Sequence, residues 1–254
     1  MLTPIAIKRI TPCSKEEFFQ TYVRANQPVV ITGLVDNWAA MQSWNFDYFA
    51  DHFGDVSASI GKYKNGLGYY NGAQDDRPVS ECITSIKSGI LTEGCVIISP
   101  ISVFPDSIKN DYAAPAYCKD GKYLRSNISI GPRGFITPLH QDLPENLYVM
   151  VKGKKRITLF PPSSPVYPNS RISRAPHFSQ IDAENPDYDR FPNLRHAQPY
   201  TVDQCAGETL FIPSFWWHHL RTLEPSIALN FWWSQGWKLP IAWAAALYKK
   251  YRNL

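Results

Sequence analysis

His140 and Asp142 stand two residues apart in Pro138-Leu139-His140-Gln141-Asp142-Leu143-Pro144-Glu145, and another histidine closes the run Phe211-Ile212-Pro213-Ser214-Phe215-Trp216-Trp217-His218. Residues two apart in an extended strand share a face, so His140 and Asp142 can reach one metal ion from the same side. His218 must arrive on a separate strand. Two imidazoles and one carboxylate on one face, with the opposite positions open, suit an oxygen-activating ferrous centre rather than a closed structural site. A His-x-Asp tripeptide is common by chance. It acquires meaning only if the fold brings His218 to it.

The elements that would do so can be read from the pattern. Asn127-Ile128-Ser129-Ile130 and the segment from Phe135 to Gln141 read as strands, followed by Asn146-Leu147-Tyr148-Val149-Met150-Val151. Gly153-Lys154 then reads as a turn, and Arg156-Ile157-Thr158-Leu159-Phe160 as the return arm of a hairpin closed by Pro161-Pro162. Further strands are expected over 200–202, 209–213 and 227–233. Short strands between Gly and Pro turns indicate a jelly roll. Upstream, Ser14 with Glu17 three residues on marks a helix start, Val29 to Thr32 a buried strand, 45–53 and 79–88 helices, and Cys95 to Ile98 an apolar strand. Residues 55–130 are expected to wall a cleft. The Pro-, Ser- and Asp-rich stretch 163–198 is too long for an ordinary connection and reads as a functional loop. Trp243, Leu247 and Tyr251 make a helical stripe near the end, expected to pack on the core or on a second subunit as a homodimer contact.

The run from Thr137 to Pro161, the segment Gly207-Glu208-Thr209-Leu210-Phe211-Ile212-Pro213, Trp217-His218-His219 and Asn230-Phe231-Trp232-Trp233-Ser234 together resemble the Jumonji-C, cupin-like 2-oxoglutarate oxygenases, and among them the small protein hydroxylases. The resemblance also touches Ser179 to Pro192 and, weakly, Gln27 to Gly33. It implies a mainly β fold with flanking helices, a double-stranded β-helix or cupin-like jelly roll. It implies one domain over 1–254, with a flanking part at 1–125, the core at 126–236 and a C-terminal helix at 237–254. It implies Fe(II) on His140, Asp142 and His218, with His219 behind the site or packed against a neighbour. For 2-oxoglutarate, Lys155 matches the lysine that takes the far carboxylate, and Thr137 the hydroxyl beside it. Asn146 and Asn230 match positions bordering the metal-proximal carboxylate, and Trp232, on the face of Asn230, packs against the cofactor chamber. The tyrosine that often completes the far carboxylate site is replaced near Val96 to Ile98, and Tyr148 is its candidate substitute. The implied reaction is hydroxylation of a C–H bond on a protein or peptide side chain. The same chemistry on N-methyl groups, a tRNA base or a small molecule, and a non-catalytic cupin-like binding module, stay open.

Bulk properties narrow the class without naming a substrate. A chain of 254 residues with 44% hydrophobic and 14% aromatic content supports one large core. Its 26 basic against 22 acidic residues give +4 with no long basic run, so nucleic acid is not indicated. Five scattered cysteines without a Cys-x-x-Cys pair point away from a disulfide framework or zinc knuckle and toward a reducing compartment. No apolar leader or membrane-length segment is evident, and a cytoplasmic location is expected. A zinc hydrolase would use similar ligands but has no use for Lys155, and no paired nucleophile is evident. The aromatic run Trp216, Trp217, Trp232, Trp233 and Trp237 reads as core rather than as a stacking platform for bases. His52, His177 and His196 read as ordinary packing or surface residues.

Overall fold

Alternating β-branched and polar residues between Gly and Pro turns fold into a mixed sheet of thirteen strands, seen in a computed structural model describing residues 3–64, 67–69, 75–89, 93–118, 125–170, 173 and 175–234. The strands are β1 (Ile5–Ala6), β2 (Arg9–Ile10), β3 (Val29–Thr32), β4 (Ser57–Lys64), β5 (Leu67–Tyr69), β6 (Asp75–Pro78), β7 (Glu93–Pro100), β8 (Arg125–Gly131), β9 (Ile136–Gln141), β10 (Glu145–Phe160), β11 (Tyr200–Cys205), β12 (Glu208–Ile212) and β13 (Trp217–Trp233). They run in the order β2-β3-β12-β10-β13-β8-β7-β4-β5-β9, and β9 pairs a second time with β13. The sheet thereby turns back on itself as a jelly roll, as expected. The stripe over 239–251, the dimer contact assigned to it, Trp237 and the turn at Asn65-Gly66 lie outside the described residues.

One expectation is corrected. Gly153 does not turn a hairpin. β10 is a single strand that bends, pairing along its length with an equally long β13, through Glu145↔Trp233 at one end and Phe160↔Trp217 at the other. The register shifts between Met150 and Lys155, where Gly153 adopts φ +81°. A Cβ on Gly153 would lie 2.2 Å from the Pro225 carbonyl oxygen. Glycine here serves a close strand crossing at a bend, which a Gly-Lys pair between two strand patterns does not distinguish from a turn.

The bend lets one strand line two walls of an interior. Tyr148, Met150, Ile157 and Leu159 pack with Leu210, Ile212, Leu220 and Ala228 inside the roll. On the other face, Leu147, Val149 and Val151 join Phe211, Leu229, Phe231 and Trp233 against the N-terminal layer of Phe18, Phe49 and Phe53. Each such side chain contributes roughly 1.5–3 kcal/mol by leaving water. Slipping β10 by one residue would exchange the two sets, so hydrophobic patterning fixes which residues face inward.

The helices pack outside. α1 (Lys15–Phe18) is capped by Ser14 Oγ, which accepts from the Glu17 amide at 3.1 Å, and the chain continues as a π turn over Phe19–Val23. After the short α2 (Ala40–Ser43), α3 (Phe46–Phe53) begins at Asn45, whose Oδ1 accepts from the Tyr48 amide at 2.9 Å. α4 (Val79–Ser88) stops at Gly89, φ +68°. Asp111 ties this layer down, accepting from Trp44 Nε1 at 2.8 Å and Tyr48 Oη at 2.7 Å. Burial and that bond push the Tyr48 phenol up to about 12.

The long loop packs rather than trailing. Val166, Ile181, Phe191 and Leu194 form a small core with Leu139, Phe160 and Trp217. Its backbone extends the edge of β9: the Gln141 amide donates to the His177 carbonyl at 3.0 Å, and the Ser179 amide to the Leu139 carbonyl at 2.8 Å.

Candidate metal centre

Thr137 and His140 are three residues apart, which in a regular strand would turn them to opposite faces. The ladder with β13 resolves this: Thr137 pairs with Leu220 and His140 with His218, so three residues on β9 span two on β13. This bulge returns His140 to the face of Thr137. Asp142 follows immediately after the strand. Ligand atoms of His140, Asp142 and His218 all lie within 4.8 Å of one another. His218 Nε2 is 3.6 Å from Asp142 Oδ2, and the two imidazole centroids are 4.0 Å apart.

Both imidazoles are oriented by backbone. His140 Nδ1 lies 2.8 Å from the Pro138 carbonyl oxygen and His218 Nδ1 lies 3.0 Å from that of Trp216. A carbonyl only accepts, so each Nδ1 carries the proton and each Nε2 presents its lone pair to the common centre. Burial and the neighbouring His218 push His140 down to about 3, which keeps the ring neutral. Burial alone would raise the Asp142 carboxyl, but the neighbouring His218, 3.6 Å away, and the His140 ring outweigh it and hold Asp142 below the usual carboxylate range. A neutral His140 and an ionised Asp142 are the states in which these side chains ligate a divalent cation. His218 is buried while Asp142 is partly exposed, so the cluster opens on one side.

The turn after β12 locks this arrangement. Phe215, at φ +66°, donates its amide to the Asp142 carbonyl at 2.8 Å, and the Ser214 amide donates to buried Glu145 Oε2 at 2.7 Å. The ends of β9, β10, β12 and β13 are thus joined at the ligands. A non-glycine residue in the left-handed region is costly and persists only where its surroundings hold it.

Lys155 lies on the inner face of β10 opposite Thr222, two residues before Ile157, which pairs with Leu220. Thr137 pairs with the same Leu220, so Lys155 and Thr137 face one interior diagonally across β13. Lys155 is buried, and its Nζ donates to Tyr148 Oη at 2.8 Å. Among the described residues no carboxylate lies within ion-pair distance of it. Burial lowers its ammonium to about 8. A buried cation without a protein anion is costly, and a ligand carboxylate relieves it. The Tyr148 hydroxyl stands directly beside this ammonium.

At the other end of the interior, Asn146 pairs with Trp232 and Tyr148 with Asn230, and Asn230 Nδ2 donates to Asn146 Oδ1 at 3.4 Å. Trp232 faces the interior as expected, whereas Trp216, Trp217 and Trp233 are buried in the core. His219 turns away from the metal ligands, its Nε2 4.0 Å from Glu184 Oε1. Glu184 also pairs with Arg221 and clips the long loop to β13.

The loop brings His177 close to His140 and Asp142. Its neighbour Phe178 stacks on His140 at 5.3 Å and 22°. No local motif marks either residue; only the loop's return to β9 places them. Asn127, Ser129 and Arg125 on β8 also line the interior opposite Asn230, Ala228 and Trp232. Polar residues alternating with Ile128 and Ile130 were the available signal for that lining.

The family described as Cupin-like domain matches residues 15–238. Over 242 residues the chain is 31% identical to Lysine-specific demethylase 8 of Xenopus tropicalis, covering 90% of this chain and 53% of that protein. It is 30% identical over 240 residues to Lysine-specific demethylase JMJ30 of Arabidopsis thaliana, covering 92% and 56%. Against the human Bifunctional peptidase and (3S)-lysyl hydroxylase JMJD7 it is 25% identical over 280 residues, covering 94% and 87%. The chain thus spans little more than half the length of the two demethylases.

Proposed function

The chain belongs to the cupin-like domain family, on its Jumonji-C side, and from that premise we propose that it is an Fe(II)- and 2-oxoglutarate-dependent dioxygenase that hydroxylates a protein or peptide side chain. The observation that carries the reading is the pairing of two features in one interior: the oriented triad His140, Asp142 and His218, and a buried Lys155 whose only hydrogen-bond partner among the described residues is Tyr148. The triad fits a ferrous ion by donor type and by its open side. A closed zinc site needs neither the open side nor the lysine.

In this assignment His140, Asp142 and His218 hold the metal, and Lys155 with Thr137 takes the far carboxylate of 2-oxoglutarate, Tyr148 steadying the ammonium. Asn146 and Asn230 border the metal-proximal end and orient the co-substrate by hydrogen bonds. Bound iron would let dioxygen act as the oxidant and 2-oxoglutarate as the two-electron donor, one oxygen atom going into an unactivated C–H bond and the other into the succinate formed as carbon dioxide leaves. Phe178, stacked on His140, and the apolar walls Ile157, Leu159 and Leu220 exclude water from that chemistry. The protein substrate is supported by the lysyl hydroxylase and the demethylases among the relatives, whose names concern protein side chains. Those names also support demethylation as a second reading.

The test is succinate release by purified protein with ferrous iron and 2-oxoglutarate, with and without candidate peptides. Iron-dependent, peptide-stimulated succinate with a peptide gaining one oxygen atom is the expected result. Formaldehyde release would favour the demethylase reading. Absence of both turnover and 2-oxoglutarate binding would sink the oxygenase assignment.

A further inference from the structure

Arg125 is exposed at the start of β8, two strands from Asn146 of the proposed site. Its register partner on β13 is Trp232, which on its other side pairs with Asn146 of β10. Three neighbouring strands span about 10 Å, so Arg125 lies within side-chain reach of a molecule approaching the metal-proximal end of the interior. Its Nε donates to Asn127 Oδ1 at 3.2 Å, and its guanidinium carbon lies 5.8 Å from the centre of the Trp232 ring. These two contacts fix the plane of the guanidinium through one nitrogen and one face. The terminal nitrogens, the pair that grips a carboxylate in a fork, face no carboxylate within ion-pair distance among the described residues. Arg9, Arg77, Arg156, Arg195 and Arg221 each meet an aspartate or glutamate, whereas Arg24 and Arg190, like Arg125, meet an amide or an aromatic ring.

Arg125 is exposed, yet backed by buried Asn127 and by the ring of Trp232. We infer that Arg125 is a specificity-determining residue that receives a carboxylate of the substrate, so that the modified side chain lies in a peptide segment bearing a neighbouring Asp or Glu. The inference rests on the oxygenase reading for what happens to the captured peptide. The recognition step itself is separable from it. A peptide is favoured over a polynucleotide because β8, Arg125–Gly131, carries no second cation to follow a phosphate backbone.

The experiment uses the full chain loaded with Mn(II) and 2-oxoglutarate without oxygen, and measures retention of a peptide library in which each position is fixed in turn. Wild-type protein is expected to select Asp or Glu over Asn or Gln at one position by about tenfold or more, the discrimination of one charge-assisted bidentate contact. Arg125→Gln is expected to lose that selection, and Arg125→Glu to reverse it toward Lys or Arg. The reversal is a gain that a misfolded variant would not produce. Absence of acid selection by wild-type protein, equal selection by Arg125→Gln, or retention of RNA oligonucleotides in place of peptides would each overturn the inference. Calorimetry of 2-oxoglutarate on the same wild-type sample separates the two failures. No 2-oxoglutarate binding refutes the oxygenase reading, whereas binding without acid selection refutes only the role of Arg125.

Discussion

Replacing Lys155 by methionine, close to it in length and volume, should stabilise the ligand-free protein and abolish its response to 2-oxoglutarate. Burial lowers the ammonium from 10.5 to about 8. At 1.36 kcal/mol per pKa unit, (10.5 − 8) × 1.36 gives a cost of about 3 kcal/mol for keeping the charged form inside. Loss of the hydrogen bond to Tyr148 Oη returns about 1 kcal/mol, leaving the variant ahead by about 2 kcal/mol. For a chain of this size that raises Tm by about 4–8 °C. The sign with pH follows from the lowered value. The unfolded chain binds the extra proton between about pH 8 and 10.5, so wild-type stability rises across that window and the variant's advantage shrinks. At pH 9.5 the cost has fallen to about 1 kcal/mol. A thousandfold excess of 2-oxoglutarate over its Kd should stabilise wild type by about 4 kcal/mol and the variant not at all, inverting the order. Thermal and urea unfolding at pH 6.5 and 9.5, with and without 2-oxoglutarate, provide the assay. A variant less stable than wild type at pH 6.5 without ligand, or a gap unchanged at pH 9.5, would refute the reasoning.

Asp142→Ala should lose bound metal, read by elemental analysis, while keeping its circular dichroism, because the bond from Phe215 uses the Asp142 backbone carbonyl and survives the substitution. Gly153→Ala should be destabilising by on the order of 3 kcal/mol or fail to accumulate, since the added Cβ meets backbone at 2.2 Å at a positive φ; normal yield and an unchanged urea midpoint would contradict the bend described for β10. Asp111→Ala removes the acceptor of both Trp44 Nε1 and Tyr48 Oη and should cost about 2 kcal/mol in urea unfolding.

What the sequence discloses here is what local patterning controls. Ser14 bounds its helix because a cap is decided by the residue itself, and His140, Asp142 and His218 point to a metal once the resemblance sets His218 beside the other two. Features that arise from two strands meeting are harder to see. Gly153 resembles a turn glycine until Pro225 is known to cross it. The bulge that brings Thr137 and His140 to one face is visible only against Leu220 and His218. His177 and Phe178 reach the ligands because a loop rejoins β9, and the orientation of Arg125 depends on partners at positions 127 and 232.

The same distinction separates the chemistry of this site from its selectivity. The residues assigned to iron and to the far carboxylate occupy the inner walls near the strand junctions, where one-residue slips are opposed by the buried faces of β10 and β13. The residue that would read a substrate, Arg125, is exposed at the start of β8. Exchanges there can therefore alter what is bound without disturbing the interior core, whereas an exchange at Glu145 strikes the junction beside the metal ligands and one at Gly153 the bend of β10. A cupin-like frame can keep one oxidation chemistry while its rim changes substrate, because the two depend on packing to different degrees.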